Sequence, residues 1–480
     1  MATFDCDGDG RPDLYLAGGT APAALYRNTS ERGGTLRFEP LPSPVTDLTS
    51  VTGAYPIDLD SDGILDLVVL RNVAGNHVLR GLGDCRFEPI GDQLGIDPGA
   101  AQTVAFSATW EGSNALPTLA FGNYLVPGTY DCDTSVLVRP EAAAERYGAP
   151  APLSPGNCAL SLLFSDWSRS GRADLRVAND RHYYRVGGEQ LWRVEPGVAP
   201  RLFTEADGWR PLQLFGMGLA SADLTGDGFP EVVITNQGDN KLQTLDAPGT
   251  SPAYHDLALA LGTLAQRPYT GGDVLPSTAW HPALVDVNDD GRIDLFLSKG
   301  NVSAQPDLAA KDPSNLLLRQ ADGTFREAGD EAGIATFDPA RGASPTDFNL
   351  DGLPDLVVAH REVPVTLWRN VGGGTAAAPE AMGHWLGVRL QQPAPNVDGI
   401  GAWVDVKVGD AVSTHELTIG GGHASGDLGW IHFGLGDAAS AEVRVHWPGG
   451  AVSAWMPVGA DQFVTIRRGA AGVEVWQPPT

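Results

Sequence analysis

The stretch "DCDGDGRPDL" places Asp5, Asp7, Asp9 and Asp13 at positions 1, 3, 5 and 9 of one short loop, with glycine at position 6. That glycine permits a tight turn which other residues resist. Alternate side chains can then aim their oxygens at one centre, and the carbonyl at position 7 can add another. Such an oxygen-rich cage suits Ca²⁺, while Mg²⁺ demands stricter octahedral geometry and keeps its waters. Without a cation, converging carboxylates repel and some must take up protons. The ligand logic matches the first half of an EF-hand loop, but the last acid stands at position 9 instead of 12, and a β-rich run follows instead of a helix. The plain alternative is an acidic turn capped by its own side chains.

Recurrence argues against the plain alternative. The pattern returns with Asp58, Asp60, Asp62 and Asp66. It returns with Asp286, Asn288, Asp290 and Asp294, and with Asp347, Asn349, Asp351 and Asp355, where asparagine still offers an oxygen. A looser set is Asp223, Thr225, Asp227 and Glu231. A weak copy at Asp166 carries Ser168 and Ser170 and is a candidate for a sixth site. The copy at Trp110 has lost nearly every carboxylate and is expected to hold no metal. Five Ca²⁺ ions would move the formal charge from -27 to about -17, so part of the acidity is ligand rather than surface.

These loops must be carried by a repeating element. Their first positions, 5, 58, 110, 166, 223, 286 and 347, are spaced by 53, 52, 56, 57, 63 and 61 residues. In each unit an apolar run such as "VTGAYPI" enters the loop, and a β-rich run such as "LDLVVL" or "PEVVIT" leaves it. A third run reads like "ALYRN" or "TLWRN", and a fourth like "CRFEP" or "TFREA". Runs of this length and type are strands. Four strands in each of seven units predict an all-β chain with a seven-bladed propeller over 1–375. Only Met1 to Phe4 precede the first loop, so either that inner strand is very short or residues upstream are missing. After the linker "GTAAAPEAMG", the alternation of "WVDVKV" and "EVRVHW" predicts a small β-sandwich-like domain over 376–480, packed on the last blade. The run "HWLGVRL" could supply the strand that completes that blade.

Composition narrows the function classes. The chain of 480 residues is 42% hydrophobic, and its net charge of -27 disfavours nucleic acid and anionic membrane surfaces. No apolar run approaches the roughly 20 residues that span a bilayer, and no basic n-region with an apolar h-region opens the sequence. Four cysteines without a CxxC allow three fully paired connectivities. Cys132 and Cys158, which flank one proline-rich segment, are the expected pair, and four free thiols in a reducing compartment are the alternative.

The repeats D-x-D-x-D-G-x-x-D-L-x-V resemble the FG-GAP or VCBS repeats of integrin-type propellers. "HWLGVRL", "NVDGIGAWVDV", "IGGGHASG", "HFGLGDA" and "VRVHWPGG" resemble an ASPIC/UnbV domain. Together they are similar to cartilage acidic protein-like proteins. "PGNCALSLLFSDWSRSGRADLRVANDRHYY" also looks like a family signature. The resemblance implies a secreted or surface-exposed protein with Ca²⁺-bound blades and implies little about activity.

Catalytic signals are sparse. G-x-S-x-G, P-loop and H-E-x-x-H motifs are absent. "GGGHASG" reads as a turn. In "NDRHYY", Asp180 and His182 could do acid–base work if they met at the channel mouth, although alternation along a strand would point neighbours to opposite sides. His281, His360 and His384 are isolated, and Trp192, Trp368, Trp385 and Trp447 are expected between blades or at the domain junction. The expected function is an extracytoplasmic calcium-binding module for ligand binding or adhesion, taking a protein, a glycan or a small molecule. A calcium-dependent cyclase, lyase or hydrolase acting on a small molecule in the central funnel is the alternative.

Overall fold

The computed structural model describes residues 1–72, 74–97, 99–141, 145–180, 188–266, 274–302 and 305–478. Seven antiparallel sheets follow one another along the chain. Their inner strands are Ala2–Phe4, Val51–Ile57, Thr103–Thr109, Ala159–Ser165, Leu219–Ala222, Ala279–Val285 and Ala340–Thr346. Inner strands of successive blades touch, and the last touches the first, which closes the ring. Their composition explains their place: "TVAFSAT" and "ALSLLFS" are buried at every position, as strands flanked by a sheet on both faces must be. Separate apolar clusters fill the gaps between blades. Phe4, Tyr15 and Leu67 join blades 1 and 2, while Leu14, Phe348 and Val357 join blades 7 and 1.

Two expectations about the strands change. Blade 7 has three strands among the described residues, Ala340–Thr346, Asp355–His360 and Thr366–Trp368. "HWLGVRL" does not complete it. His384–Gln391 is spent inside the C-terminal domain, pairing antiparallel with Ile431–Gly436 on one edge and parallel with Gln462–Arg467 on the other. A strand with both edges occupied has no ladder left to offer a blade. That sheet faces a second one built from Trp403–Val408, Ala411–Glu416, Ser440–His446 and Met456–Gly459. Leu386, Val388, Val404, Val443 and Val464 fill the space between them, so the domain is a β-sandwich.

The sandwich also docks more widely than the last blade. Arg389 reaches Asp5 of blade 1 (3.5 Å), and the Asn396 amide donates to Ser61 Oγ of blade 2 (3.0 Å). Arg169 of blade 4 lies 4.1 Å over the Trp403 ring, and His432 bonds Asp289 of blade 6 (2.7 Å). Trp385 packs on Gly352 of blade 7. The domain therefore caps the end of the ring where the inner strands run into the acidic loops.

A segment of the cap enters the channel itself. After Ala411–Glu416 the chain descends as "LTIGGGHASGDL" and touches inner strands in turn. Ile419 bridges Ala108, Gly420 bridges Leu163 and Gly422 bridges Leu219. Gly426–Leu428 then adds as a parallel strand to Ala2–Phe4. The amides of Gly421 and Gly422 donate to the carbonyls of Leu162 and Leu219 (both 2.6 Å), and Ser107 Oγ donates to Ile419 O (2.5 Å). The glycines are required here. Gly420 has φ +111°, and a Cβ on it would lie 2.6 Å from Phe106 O and 2.7 Å from Leu162 O. "GGGHASG" is thus a channel plug and not a surface turn. In blade 1 the inner strand has three residues and is backed by this strand from the C-terminal domain.

Candidate functional site

In every acidic loop the position-1 carboxylate accepts the amide of the position-6 residue. Asp5 takes Gly10 (2.8 Å), Asp58 takes Gly63 (2.9 Å), Asp166 takes Gly171 (2.6 Å), Asp223 takes Gly228 (2.8 Å), Asp286 takes Gly291 (2.7 Å) and Asp347 takes Gly352 (2.8 Å). These six glycines all have φ between +82° and +95°, which fits the turn expected at that position. The position-5 acids Asp9, Asp62, Asp227, Asp290 and Asp351 each accept the amide two residues on. The loops thus have one backbone design with variable side chains.

The position-9 acid has a role that spacing did not show. Asp13 accepts the amides of Cys6 (2.8 Å) and Asn28 (2.7 Å), and Asp66 those of Leu59 (2.9 Å) and Gly81 (2.8 Å). Asp294 accepts Val287 (3.1 Å) and Arg319 (2.7 Å), and Asp355 accepts Phe348 (3.0 Å) and Asn370 (2.8 Å). Each therefore clips the loop to the third strand of its blade, Ala24–Asn28, His77–Gly81 and Asn315–Arg319, or in blade 7 to the residue two past Thr366–Trp368, and Glu231 does the same through the Leu224 amide and Thr244 Oγ1 of Lys241–Leu245. The "RN" of the third strand has its own task. Asn28 Nδ2 donates to Phe348 O of the neighbouring blade, and Asn370 Nδ2 donates to Val287 O of its neighbour (both 2.8 Å).

The donor set fits a hard divalent cation. Asp5, Asp7 and Asp13 offer oxygens within 4.8 Å of one another, as do Asp58, Asp60 and Asp62. That separation suits oxygens placed 2.3–2.6 Å from one ion. Two position-3 oxygens, Asp60 Oδ1 and Asn288 Oδ1, are buried without a partner. Burial and neighbouring acids push Asp58, Asp286 and Asp347 up to about 7, and Asp13, Asp66 and Asp294 up to about 8. In the later loops, ligand side chains also meet each other or arginine. Asn288 bonds Asp290, Asn349 bonds Asp351 (3.0 Å), and Arg292 pairs with Asp290 (2.5 Å). Thr225 Oγ1 donates to Glu231 (3.2 Å).

Two loops are built differently. In blade 3, Glu111 pairs with Arg139 (2.6 Å) and accepts Thr118 Oγ1 (2.5 Å), so an ion pair stands where the other blades gather acids. In blade 4, Glu416 of the cap accepts Ser165 Oγ (2.5 Å) and the Asp166 amide (2.7 Å), an acid the repeat pattern could not supply.

Among the described residues the opposite end of the channel is open. There the plug floors a funnel of about 1260 Å³ with His423 and Ala424. Around it stand Tyr124, Asp180, Phe215, Met217, Trp280 and Arg341. Tyr124 donates its hydroxyl to Asp180 (2.5 Å), so Asp180 does face the channel mouth. His182 lies outside the described residues. His281 is buried under the plug, where its Nδ1 accepts the His423 amide (2.9 Å). Burial holds His281 down at about 4 and His423 at about 3, so both are neutral. His360 bonds Thr366 (3.0 Å), and His384 bonds Asp461 (2.7 Å). Trp192 and Trp368 pack between blades, Trp385 at the domain junction, and Trp447 in the sandwich core. No helix among the described residues is long and apolar enough to cross a membrane.

The family models agree with this architecture. The FG-GAP-like repeat model matches residues 5–69 and 286–358, and the FG-GAP repeat model matches 215–252. The ASPIC and UnbV model matches 392–473. No curated protein matches the chain. Among solved structures it is similar to an Agrocybe aegerita lectin that recognises non-reducing terminal N-acetylglucosamine, at 16% identity and TM-score 0.41, over 75% of this chain and 92% of the lectin. It is also similar to the BP39L lectin of Burkholderia pseudomallei, at 13% identity and TM-score 0.47, over 76% and 94% of the two chains. A third likeness is the GH43 protein BlXynB of Bacillus licheniformis, at 12% identity and TM-score 0.32, over 86% and 89%. At these scores none of the three bears on function. Seven blades, six of them carrying the recurring loop, under a plugging sandwich, make this chain an FG-GAP-repeat propeller with a C-terminal ASPIC and UnbV domain.

Proposed function

We propose that this protein is an extracytoplasmic, calcium-stabilised propeller that binds a ligand in the funnel facing away from the cap. The blind funnel carries the reading. A channel sealed at one end by its own chain is no conduit, and its open end offers a concave site with convergent polar groups. Calcium is supported by the converging oxygens of the Asp5 and Asp58 loops and by the unpartnered oxygens of Asp60 and Asn288. The Asp223, Asp286 and Asp347 loops would take the remaining ions of about five, with Asp166 and Glu416 the candidate for a sixth. An oxidising compartment is supported by the cysteines, all four of which are paired, as Cys6–Cys85 and Cys132–Cys158.

Dialysis against EGTA should lower the melting temperature, and elemental analysis should find calcium. An unchanged melting temperature with no calcium in the purified protein refutes the metal reading. For the funnel, wild type and Gln237→Trp are compared on panels of glycans, small molecules and proteins. Gln237 lines the funnel, and its side chain meets Gln305 at 3.5 Å, so tryptophan blocks the site at little cost to the fold. Ligands of wild type should be lost in the variant; equal binding by both removes the funnel from consideration.

A further inference from the structure

The funnel has a chemical polarity that its shape alone does not convey. Its lower wall is apolar: Val104, Met217 and Trp280 are buried there, and Tyr124 and Phe215 are partly open to the space. On the blade 7 side stand two arginines. Arg341 donates to the carbonyls of Ala340 (2.7 Å), Asn301 (3.2 Å) and Val302 (3.3 Å), and its guanidinium lies 4.0 Å over the Trp280 ring. Arg361 donates to the same Val302 carbonyl. Two like charges thus converge on one oxygen. Arg361 has an exposed partner in Glu362 (3.1 Å), but among the described residues no carboxylate pairs with Arg341. Burial first, and then Arg361, hold Arg341 down at about 9, and Glu362 offsets this only in part. Asp180, on blade 4 across the ring, is engaged by the Tyr124 hydroxyl. On the blade 7 side two arginines thus stand against the single carboxylate of Glu362, an excess of one positive charge over an apolar floor, which is unexpected in a protein of net charge -27.

We propose that the funnel binds an organic anion, a small molecule whose apolar or aromatic body lies against Phe215 and whose carboxylate or sulfonate pairs with Arg341 and Arg361. This rests on the funnel being the ligand site. Charge-assisted hydrogen bonds to guanidinium supply the selectivity, because a neutral group of the same shape leaves that wall without its counter-charge.

The test is calorimetric titration of the full chain, in calcium, with 2-naphthoate, 2-naphthalenesulfonate and the neutral 2-naphthamide. At least one anion should bind roughly tenfold or more tighter than the amide, and the tighter of the two names the head group. Arg361→Gln and Arg341→Gln should each weaken anion binding by about tenfold and leave the amide unchanged. Arg361 is exposed, so its variant reads out even if Arg341→Gln unfolds, and a melting curve shows which has happened. Equal binding of anions and amide, no binding of either anion, or anion binding unchanged in the Arg361 variant overturns the proposal. Gln237→Trp separates the two failures. Indiscriminate binding that Gln237→Trp abolishes rejects the anion and keeps the funnel, whereas binding that survives Gln237→Trp rejects the funnel.

Discussion

Replacing Gly420 with alanine tests the seating of the plug. Two costs add. At φ +111° an L side chain is strained by about 1–3 kcal/mol. The new methyl also meets the Phe106 and Leu162 carbonyls at 2.6 and 2.7 Å and Ser107 Cβ at 2.7 Å, and forced overpacking adds about 1–3 kcal/mol. Both carbonyls belong to inner strands of the ring, so neither can move aside alone. The expected loss is about 2–6 kcal/mol. Gly409→Ala is the control, because Gly409 also has positive φ, +60°, but has nothing within 4 Å of its virtual Cβ. It carries only the left-handed cost, about 1–2 kcal/mol. Unfolding entropy near 2.1 cal/mol/K per residue makes roughly 1 kcal/mol/K for a cooperative unit of 480 residues, so Gly420→Ala should lower the melting temperature by about 2–6 °C. Scanning calorimetry measures this, and limited proteolysis reports whether the cap has lifted. If Gly420→Ala falls within about 0.5 kcal/mol of Gly409→Ala, the plug does not sit between those carbonyls.

Three further outcomes follow from the geometry. Removing Cys6–Cys85, which closes 79 residues, should cost more than removing Cys132–Cys158, which closes 26; chain entropy sets the ceilings near 4.5 and 3.5 kcal/mol, readable by urea denaturation of the paired alanine variants. His281 is neutral in the fold at about 4 against an unfolded value near 6.5. The unfolded chain takes up more protons between these values, so this contribution is complete above pH 6.5 and is lost as pH falls towards 4. Subtracting the stability–pH curve of His281→Gln from that of wild type should show the slope in this window, and a flat difference rejects it. Glu111→Gln removes the carboxylate paired with Arg139 in blade 3, leaving it the Val198 and Glu195 carbonyls, and should cost about 1.5–3 kcal/mol, equally in calcium and in EGTA, as followed by thermal melts.

The ring was legible because its most constrained feature repeats. The loop needs acids at alternate positions and a glycine with positive φ, and both survive in the spacing of residues. The clips made by Asp13 and Asp66 were hidden, since an acid that holds backbone amides and one that would ligate a metal look alike in a pattern. The docking of "IGGGHASG" was hidden for a different reason. Gly420 and Gly422 are needed because blades 3, 4, 5 and 6 close around them, which is a tertiary fact. Glu416 in blade 4 belongs to the same class, because a partner some 250 residues away leaves no local trace. The funnel residues Tyr124, Phe215, Trp280 and Arg341 fall outside the repeat pattern, each alone in its stretch of sequence.

The parallel pairing of Ala2–Phe4 with Gly426–Leu428 has a consequence for how the protein is made. A ribosome delivers blade 1 before every other blade, yet the inner edge of that blade has no partner until the cap has emerged and threaded the ring. The first of the seven blades to be synthesised is therefore the last to be finished. Through synthesis a free strand edge faces the forming channel, where a chaperone, or the same strand of a second copy, could occupy it.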